Sequence, residues 1–504
     1  MPRRCGSTLR KRRRRGALGN FHRRLWVRQS VLTAQPKAGL VLSLRSPGYT
    51  GPMTILKFDQ ATFERVLNEH VKPSSPVESF ELLYDRDRQL DAIEEALASP
   101  GRHVFVYGDR GAGKTSLART AAFKHHPSMS EPAYSACGKK TSFSTIIRDI
   151  ASQLDGRSAL EESQRATTVR VGAPHLQAGY EVTQSERDLS GLDLNAAAAA
   201  IREAATRRGG RSIIVIDEFE ALPTTEDRHL FAELVKQLSD RGVPVALIFC
   251  GIGRSLDDLL HGHNSAHRYI AEVALPVPPL TYSGRWSIVD TTCSAFGVSI
   301  NDDSRLRIAQ VSDGFPHYVH LIMHKLLWGA FRAEHPVSKF EPEDYVDAVR
   351  EALHSVESRL RSAYDDATKK YDDSYQEVLW AVADHFELDR NNRRVYADSY
   401  ERIMADVGRD PLPFEDFQKR LARLRSQRHA TILQSERPGW VRFSENLIRG
   451  YVRLVAEAKG VQLALEHEPG PEPKRLTAST RGSRVDPMFS RPTFGRTAGS
   501  TRKR

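Results

Sequence analysis

The sequence predicts an α/β fold, a parallel sheet with helices on both faces, followed by all-helical and mixed segments. Three observations predict it. The apolar run His103-Val104-Phe105-Val106-Tyr107 leads through a glycine-rich turn into a helix-forming stretch. A second run, Ile213-Ile214-Val215-Ile216, is β-branched throughout, as in a strand buried on both faces, and it ends on Asp217-Glu218. Between them and after them, strand and helix patterns alternate.

The elements follow in order. A short helix is expected over Phe63–Val71, ended by Lys72-Pro73-Ser74-Ser75-Pro76. Leu90, Ile93 and Leu97 stand at helical spacing, and Ser99-Pro100-Gly101 ends that helix ahead of the first strand. Ala133–Cys137 reads as a second strand and Phe143–Leu154 as an amphipathic helix. A hairpin from 167–171 and 179–182 is a weaker expectation. Ala196–Thr206 is helical on composition. After the β-branched strand come a helix over Arg228–Arg241, a buried strand over Val243–Gly251 and a fifth strand over Tyr269–Leu275.

The turn after the first strand is Gly108-Asp109-Arg110-Gly111-Ala112-Gly113-Lys114-Thr115, continuing into Ser116. This is the GxxxxGK[ST] phosphate-binding loop. Its glycines let the backbone fold closely around phosphate oxygens, and the N–H groups at the helix start face an anion. Lys114 is placed to reach the β- and γ-phosphates, and the Thr115 hydroxyl to bind Mg²⁺. The alternative is a glycine-rich turn that binds nothing. The carboxylates after the β-branched strand argue against it, because they lie where α/β sheets place ligands. Asp217 is expected to hold the Mg²⁺ shell through water and Glu218 to act as general base. The cofactors implied are ATP and Mg²⁺.

The chain has 504 residues, enough for several domains, and a net charge of +11 that belongs to its ends. Residues 1–52 hold 13 Lys and Arg with no acid, including the run Arg10-Lys11-Arg12-Arg13-Arg14-Arg15. Residues 461–504 hold 9 basic and 4 acidic residues, while the body from Met53 to Gly460 holds 52 basic and 59 acidic. The first segment reads as a disordered basic arm for nucleic acid, a targeting segment, or residues upstream of a true start at Met53. The last reads as a disordered basic tail. Four widely spaced cysteines without metal-site spacing fit a reducing cytoplasm, and no apolar run is long enough to span a bilayer.

The two nucleotide motifs, the Asp-Glu ending of the second, the leading Tyr84-Asp85-Arg86-Asp87 and the helical segment behind the core together resemble AAA+ ATPases. The order of parts over residues 78–455 is most similar to the origin-recognition and replication-initiator clade and to STAND-type signalling ATPases. The resemblance implies a core over 53–277, a helical lid with connecting helix over 278–371 and a winged helix over 372–460. It implies an arginine finger acting across a subunit boundary, for which Arg268 is the candidate and Arg254 the runner-up. It implies a polar γ-phosphate sensor after the fourth strand. Here Phe249-Cys250-Gly251 offers only Cys250, with Ser255 nearby. The initiator clade carries an arginine at the lid helix. This chain has Gly314-Phe315-Pro316 instead, which looks like the STAND variant, with Pro316 near the adenine and His317 beside it.

The lid helix is expected over Tyr318–Phe331 and a long connecting helix over Asp344–Tyr371. Three helices (Tyr375–Phe386, Val395–Val407, Pro413–Gln427), two β-prone pieces (Ala430–Gln434, Trp440–Phe443) and a closing helix (Glu445–Ala458) give the winged-helix layout. Residues 417–453 hold 9 basic and 2 acidic residues. Lys419, Arg420, Arg423 and Arg425 lie off the apolar stripe of the third helix, and Arg437 is at the wing tip, a footprint for duplex DNA. The competing reading is a solvated basic face on a protein-binding module. The expected partners are thus ATP/ADP, double-stranded DNA, further copies of the chain in a nucleotide-dependent homo-oligomer, and a protein partner, with no membrane.

Overall fold

The computed structural model describes residues 55, 58–77, 79–126, 131–155, 193–253, 269–270 and 274–465. The basic arm, the 167–182 hairpin, Arg254, Ser255, Arg268 and the tail from 466 lie outside them.

Five strands form one parallel sheet in the order β2-β3-β4-β1-β5. They are β1 (Val104–Gly108), β2 (Ala133–Ala136), β3 (Ser212–Asp217), β4 (Val245–Gly251) and β5 (Ala274–Val277). Strand periodicity divides the core. Val104, Val106, Ile213, Val215, Ala246 and Ile248 face one side, with α2 (Asp87–Ala98) and α3 (Lys114–His125). Phe105, Ile214, Ile216, Leu247 and Phe249 face the other, with α4 (Phe143–Leu154), α5 (Leu194–Arg208) and α6 (Thr225–Asp240). Alternate residues of one continuous apolar run thus bury on opposite faces, which is why these strands show no polar alternation.

The fifth strand is corrected. The expected segment was 269–275, but Tyr269 and Ile270 are helical and pairing with β1 runs over Ala274–Val277. Tyr269 and Ile270 are apolar because they cover the sheet on the α4 side, where Ile270 is fully buried.

A second core lies beyond the sheet. The segment expected to form a lid, called the lid below, holds α7 (Tyr282–Phe296), α8 (Asp302–Val311) and α9 (Pro316–Arg332), with Pro316 at the first turn where its missing N–H costs nothing. The expected long helix is two, α10 (Pro342–Ser355) and α11 (Ser358–Thr368), because Val356 turns extended (ψ 149). The early helix α1 (Gln60–His70) packs here and not on the sheet. Its Phe63 stacks on Phe331 at 4.1 Å and meets Phe296 at 5.5 Å.

The C-terminal module comprises α12 (Ser374–Ala383), a helix α13 in three pieces (Asn392–Arg394, a π segment Val395–Tyr400, Glu401–Asp406), α14 (Phe414–Leu424) and α15 (Asn446–Ala458). Its sheet has the order β6-β8-β7, where β6 is Arg390–Asn391, β7 is Leu433–Gln434 and β8 is Trp440–Phe443. One hydrophobic cluster contains Phe63, Phe315, Leu379, Phe417, Leu447 and Leu463 alike, so α1, lid and C-terminal module share a core. The body also continues past Gly460. Val461, Leu463 and Ala464 are buried, Leu463 O accepts from Arg307 Nη1 at 3.0 Å, and Ala464 N–H donates to Asp384 at 2.9 Å. The tail boundary expected at 461 therefore moves to the end of this segment.

Candidate functional site: a phosphate-binding loop covered by the C-terminal helix

The loop between β1 and α3 takes the shape its glycines permit. Gly111 and Gly113 have φ of 78° and 94°, a region in which any other L-residue is strained. Gly108 packs so closely on β5 that a Cβ would stand 2.5 Å from Val277 O. Ala112 is buried, and its carbonyl accepts from the Arg86 guanidinium at 3.1 Å. Arg86 also donates to Pro278 O at 2.8 Å and Asp85 O at 2.9 Å, and burial brings its pKa down to about 10. It ties the start of α2, the phosphate loop and the exit of β5 together. Ser116 Oγ accepts from Val77 N at 3.0 Å, fixing the segment ahead of α2 on α3.

Lys114 Nζ donates to the loop carbonyls of Gly108 (3.2 Å) and Asp109 (2.9 Å), spanning the concavity that the loop N–H groups enclose. Thr115 Oγ1 donates to Asp217 Oδ2 at 2.6 Å. The structure thus joins the two motifs, 102 residues apart in sequence. A hydroxyl and a carboxylate are hard oxygen donors suited to Mg²⁺, which takes few protein ligands and completes its shell with water and phosphate. Among the described residues no cluster of three or more His, Cys, Asp or Glu offers an alternative metal site. Mg²⁺ held there would supply charge neutralisation at the β- and γ-phosphates.

Asp217 is buried and Glu218 exposed. Glu218 has φ 51° and ψ 41°, a left-handed conformation that costs a non-glycine residue about 1–2 kcal/mol. The turn brings the Glu218 N–H onto Asp217 Oδ1 at 2.8 Å and leaves Glu218 exposed. Cys250 is fully buried at the end of β4. Its thiol reaches Lys114 O at 3.9 Å, and burial raises its pKa well above the ordinary thiol value, so it is no strong donor. Cys137, after β2, is likewise held protonated, with its pKa pushed up to about 12 by burial and then by Asp217.

Pro316 lies over Gly113, its Cγ 3.9 Å from where a Gly113 Cβ would stand. The structure therefore brings Pro316 to the phosphate loop, with His317 Nδ1 beside Pro73 O at 2.6 Å. Periodicity gave no sign of the other contact at this loop. Asn446, the first residue of α15, donates from Nδ2 to Asp109 Oδ2 at 2.8 Å. Leu447 sits against Gly111, where a Cβ would meet its Cδ1 at 3.0 Å. Behind this contact, Arg449 makes a bidentate bond to the buried Asp313 (2.6 and 2.6 Å) and Arg453 reaches the same carboxylate at 2.9 Å. Asp313 precedes Gly314-Phe315-Pro316. Tyr318 OH donates to Leu447 O at 2.7 Å, and Gly450 allows α15 to lie against the Tyr318 ring.

The basic residues of α14 and of the segment that leads to Trp440 are placed as follows. Lys419 is exposed and bonds Asp416 at 2.8 Å. Arg420 donates to Ser374 Oγ at 2.9 Å and covers the Tyr375 ring, and Arg423 donates to Tyr375 OH at 3.0 Å. Arg425 donates to Trp440 O at 3.3 Å, and Arg437 stacks on the Trp440 ring at 3.3 Å.

With a phosphate loop on a five-stranded parallel sheet and the Asp217 carboxylate bonded to its Thr115, the class is a P-loop nucleotide-binding fold. Residues 82–248 match the family model described as AAA ATPase domain, and this segment is an AAA+ P-loop ATPase domain. No curated protein matches the chain in sequence. Among solved structures the chain is similar to a Walker-type ATPase of Pyrococcus abyssi, at 14% identity and TM-score 0.45, over 75% of this chain and 99% of that one. It is similar to Cdc6p of Pyrobaculum aerophilum at 16% identity and TM-score 0.40, over 79% and 99% of the two chains. It is also similar to the Orc1 protein of Aeropyrum pernix, solved in complex with DNA, at 16% identity and TM-score 0.39, over 74% and 93%. No described helix is long and apolar enough to cross a membrane.

Proposed function

We propose that the chain is an ATP-operated AAA+ switch of the replication-initiator-like group, whose C-terminal module is a winged helix that engages duplex DNA. The observation that carries the switch is the seat of Asn446 and Leu447 on the phosphate loop, at Asp109 and Gly111. A change at the loop on nucleotide binding is felt directly at the first turn of α15, and through Arg449 and Asp313 by the lid. In this reading the loop from Gly108 to Ser116 holds the phosphates, Lys114 and Thr115 reach the β- and γ-phosphates and Mg²⁺, and Pro316 lines the base. Asp217 holds the cation's water. Glu218 accepts a proton from the attacking water, and Arg268 of a neighbouring copy offsets charge on the transferred phosphoryl group. The active form is thus a nucleotide-dependent homo-oligomer in the cytoplasm.

DNA binding rests on the basic surplus of residues 417–453, in which Lys419 is exposed and paired with Asp416, and Arg437 pairs with Asp389. A second reading has support of its own. Arg420, Arg423 and Arg425 are all engaged inside the module. That favours a STAND-like signalling ATPase that hydrolyses ATP slowly and binds a protein through the same module. A duplex-DNA titration on residues 53–465, with and without ATP, separates the two. Binding that weakens steeply with salt, and is lost in Lys419→Glu/Arg423→Glu, supports the first. Absence of binding at low salt sinks it.

A further inference from the structure

Asp217 accepts more hydrogen bonds than a cation-shell carboxylate needs. Oδ2 takes the Thr115 hydroxyl at 2.6 Å and also the Tyr134 hydroxyl at 3.0 Å, while Oδ1 takes the Glu218 N–H at 2.8 Å. Tyr134 lies on β2, beside β3 in register with Val215. Its placement is held by two further groups. The Gln153 amide on α4 bonds both its N–H and its C=O at 2.8 Å. The Arg119 guanidinium stands 4.7 Å from its ring centroid. Arg119 is one turn after Thr115 on α3, so both look toward the same pair of strands.

Phenylalanine would fill the same space, so packing alone does not call for the hydroxyl. We propose that Tyr134 is a positioning residue for the divalent cation of the nucleotide site. With Thr115 it occupies both lone pairs of Asp217 Oδ2, fixes the carboxylate's rotation, and directs it to water in the cation's shell and away from direct ligation. This inference rests on the ATP and Mg²⁺ reading above. Mg²⁺ demands near-ideal octahedral geometry and Ca²⁺ does not, so loss of the hydroxyl weakens the two unequally.

The test uses the full chain and an N-methylanthraniloyl-ATP probe, titrated with Mg²⁺ and separately with Ca²⁺. In Tyr134→Phe, nucleotide affinity without metal stays within about twofold of wild type. The Mg²⁺ concentration for half-maximal binding rises about tenfold, the scale of one hydrogen bond to a charged group, and the Ca²⁺ value at most about threefold. An unchanged Mg²⁺ curve overturns the proposal. Equal rises for both cations overturn it too, because a general loosening of the site affects them alike. If wild type itself shows no metal-dependent binding, the ATP and Mg²⁺ reading fails first, and this inference with it.

Discussion

Replacing Asp313 by asparagine removes the counter-charge of two buried guanidiniums. Arg449 and Arg453 have side chains 5% and 3% exposed, and both bond the Asp313 carboxylate at 2.6–2.9 Å. An asparagine keeps one acceptor oxygen and turns an N–H toward a cation. Breaking a buried pair in this way costs about 3–5 kcal/mol. Asp384 also lies near Arg453 and carries part of its charge balance, which places the loss near the lower end, about 3 kcal/mol. The assay is urea unfolding followed by tryptophan fluorescence. Four of the five tryptophans, at 286, 328, 380 and 440, lie in the lid and C-terminal module. The pH dependence has a definite sign. Burial pushes the Asp313 pKa up, but Arg449 and Arg453 outweigh it and hold the group below its ordinary value of 3.8. Its contribution is therefore complete above that value and fades as pH falls through the folded-state pKa. The gap between wild type and Asp313→Asn is thus constant near neutrality and narrows below pH 3.8. A loss under about 1 kcal/mol at pH 7, the scale of a surface pair, or a gap that widens in acid, refutes the buried-pair account.

Glu218→Gln is expected to retain ATP while phosphate release falls about 10²–10⁴-fold, the range of a general base; equal turnover in the two proteins removes Glu218 from that role. Asn446→Ala frees the phosphate loop from α15, and stopped-flow displacement of a fluorescent nucleotide is expected to show faster exchange; an unchanged rate means that the contact does not gate the site. Gly450→Ala sets a Cβ 2.4 Å from the Tyr318 ring, and such overpacking costs about 1–3 kcal/mol, read as a lower urea midpoint in the same fluorescence assay.

The sheet was largely legible because its strands are buried on both faces. Ile213–Ile216 and Val104–Val106 have only one way to be apolar throughout, and the two nucleotide motifs carry their mechanism in their spacing. The fifth strand was misplaced because Tyr269 and Ile270 are apolar for another reason, covering the sheet. The charge footprint was legible as a total but not as a surface. Arg449 and Arg453 count toward the basic surplus of 417–453, yet both are buried on Asp313. Tyr134 and Asn446 carry no local signal. Each is a single polar residue whose partner is 83 residues away in one case and 337 in the other. The small strand Arg390–Asn391 is two polar residues long and depends on pairing with Trp440 and Val441.

The shared core of α1, lid and C-terminal module has a consequence for synthesis. The sheet has all its strands once Val277 has been made. The second core draws on Phe63 and Leu67 near one end of the described chain and on Leu447 to Leu463 near the other. It cannot close until nearly the last described residue has left the ribosome. The sheet is therefore complete, and α1 already has α7 and α9 to pack on, before α15 is made to finish the shared core. Pairings of such sequence separation are slow to form, and the exposed apolar faces in the interval are where a chaperone would bind. A nonsense change that removes only α15 would leave the phosphate-loop sheet intact and the lid without much of its core.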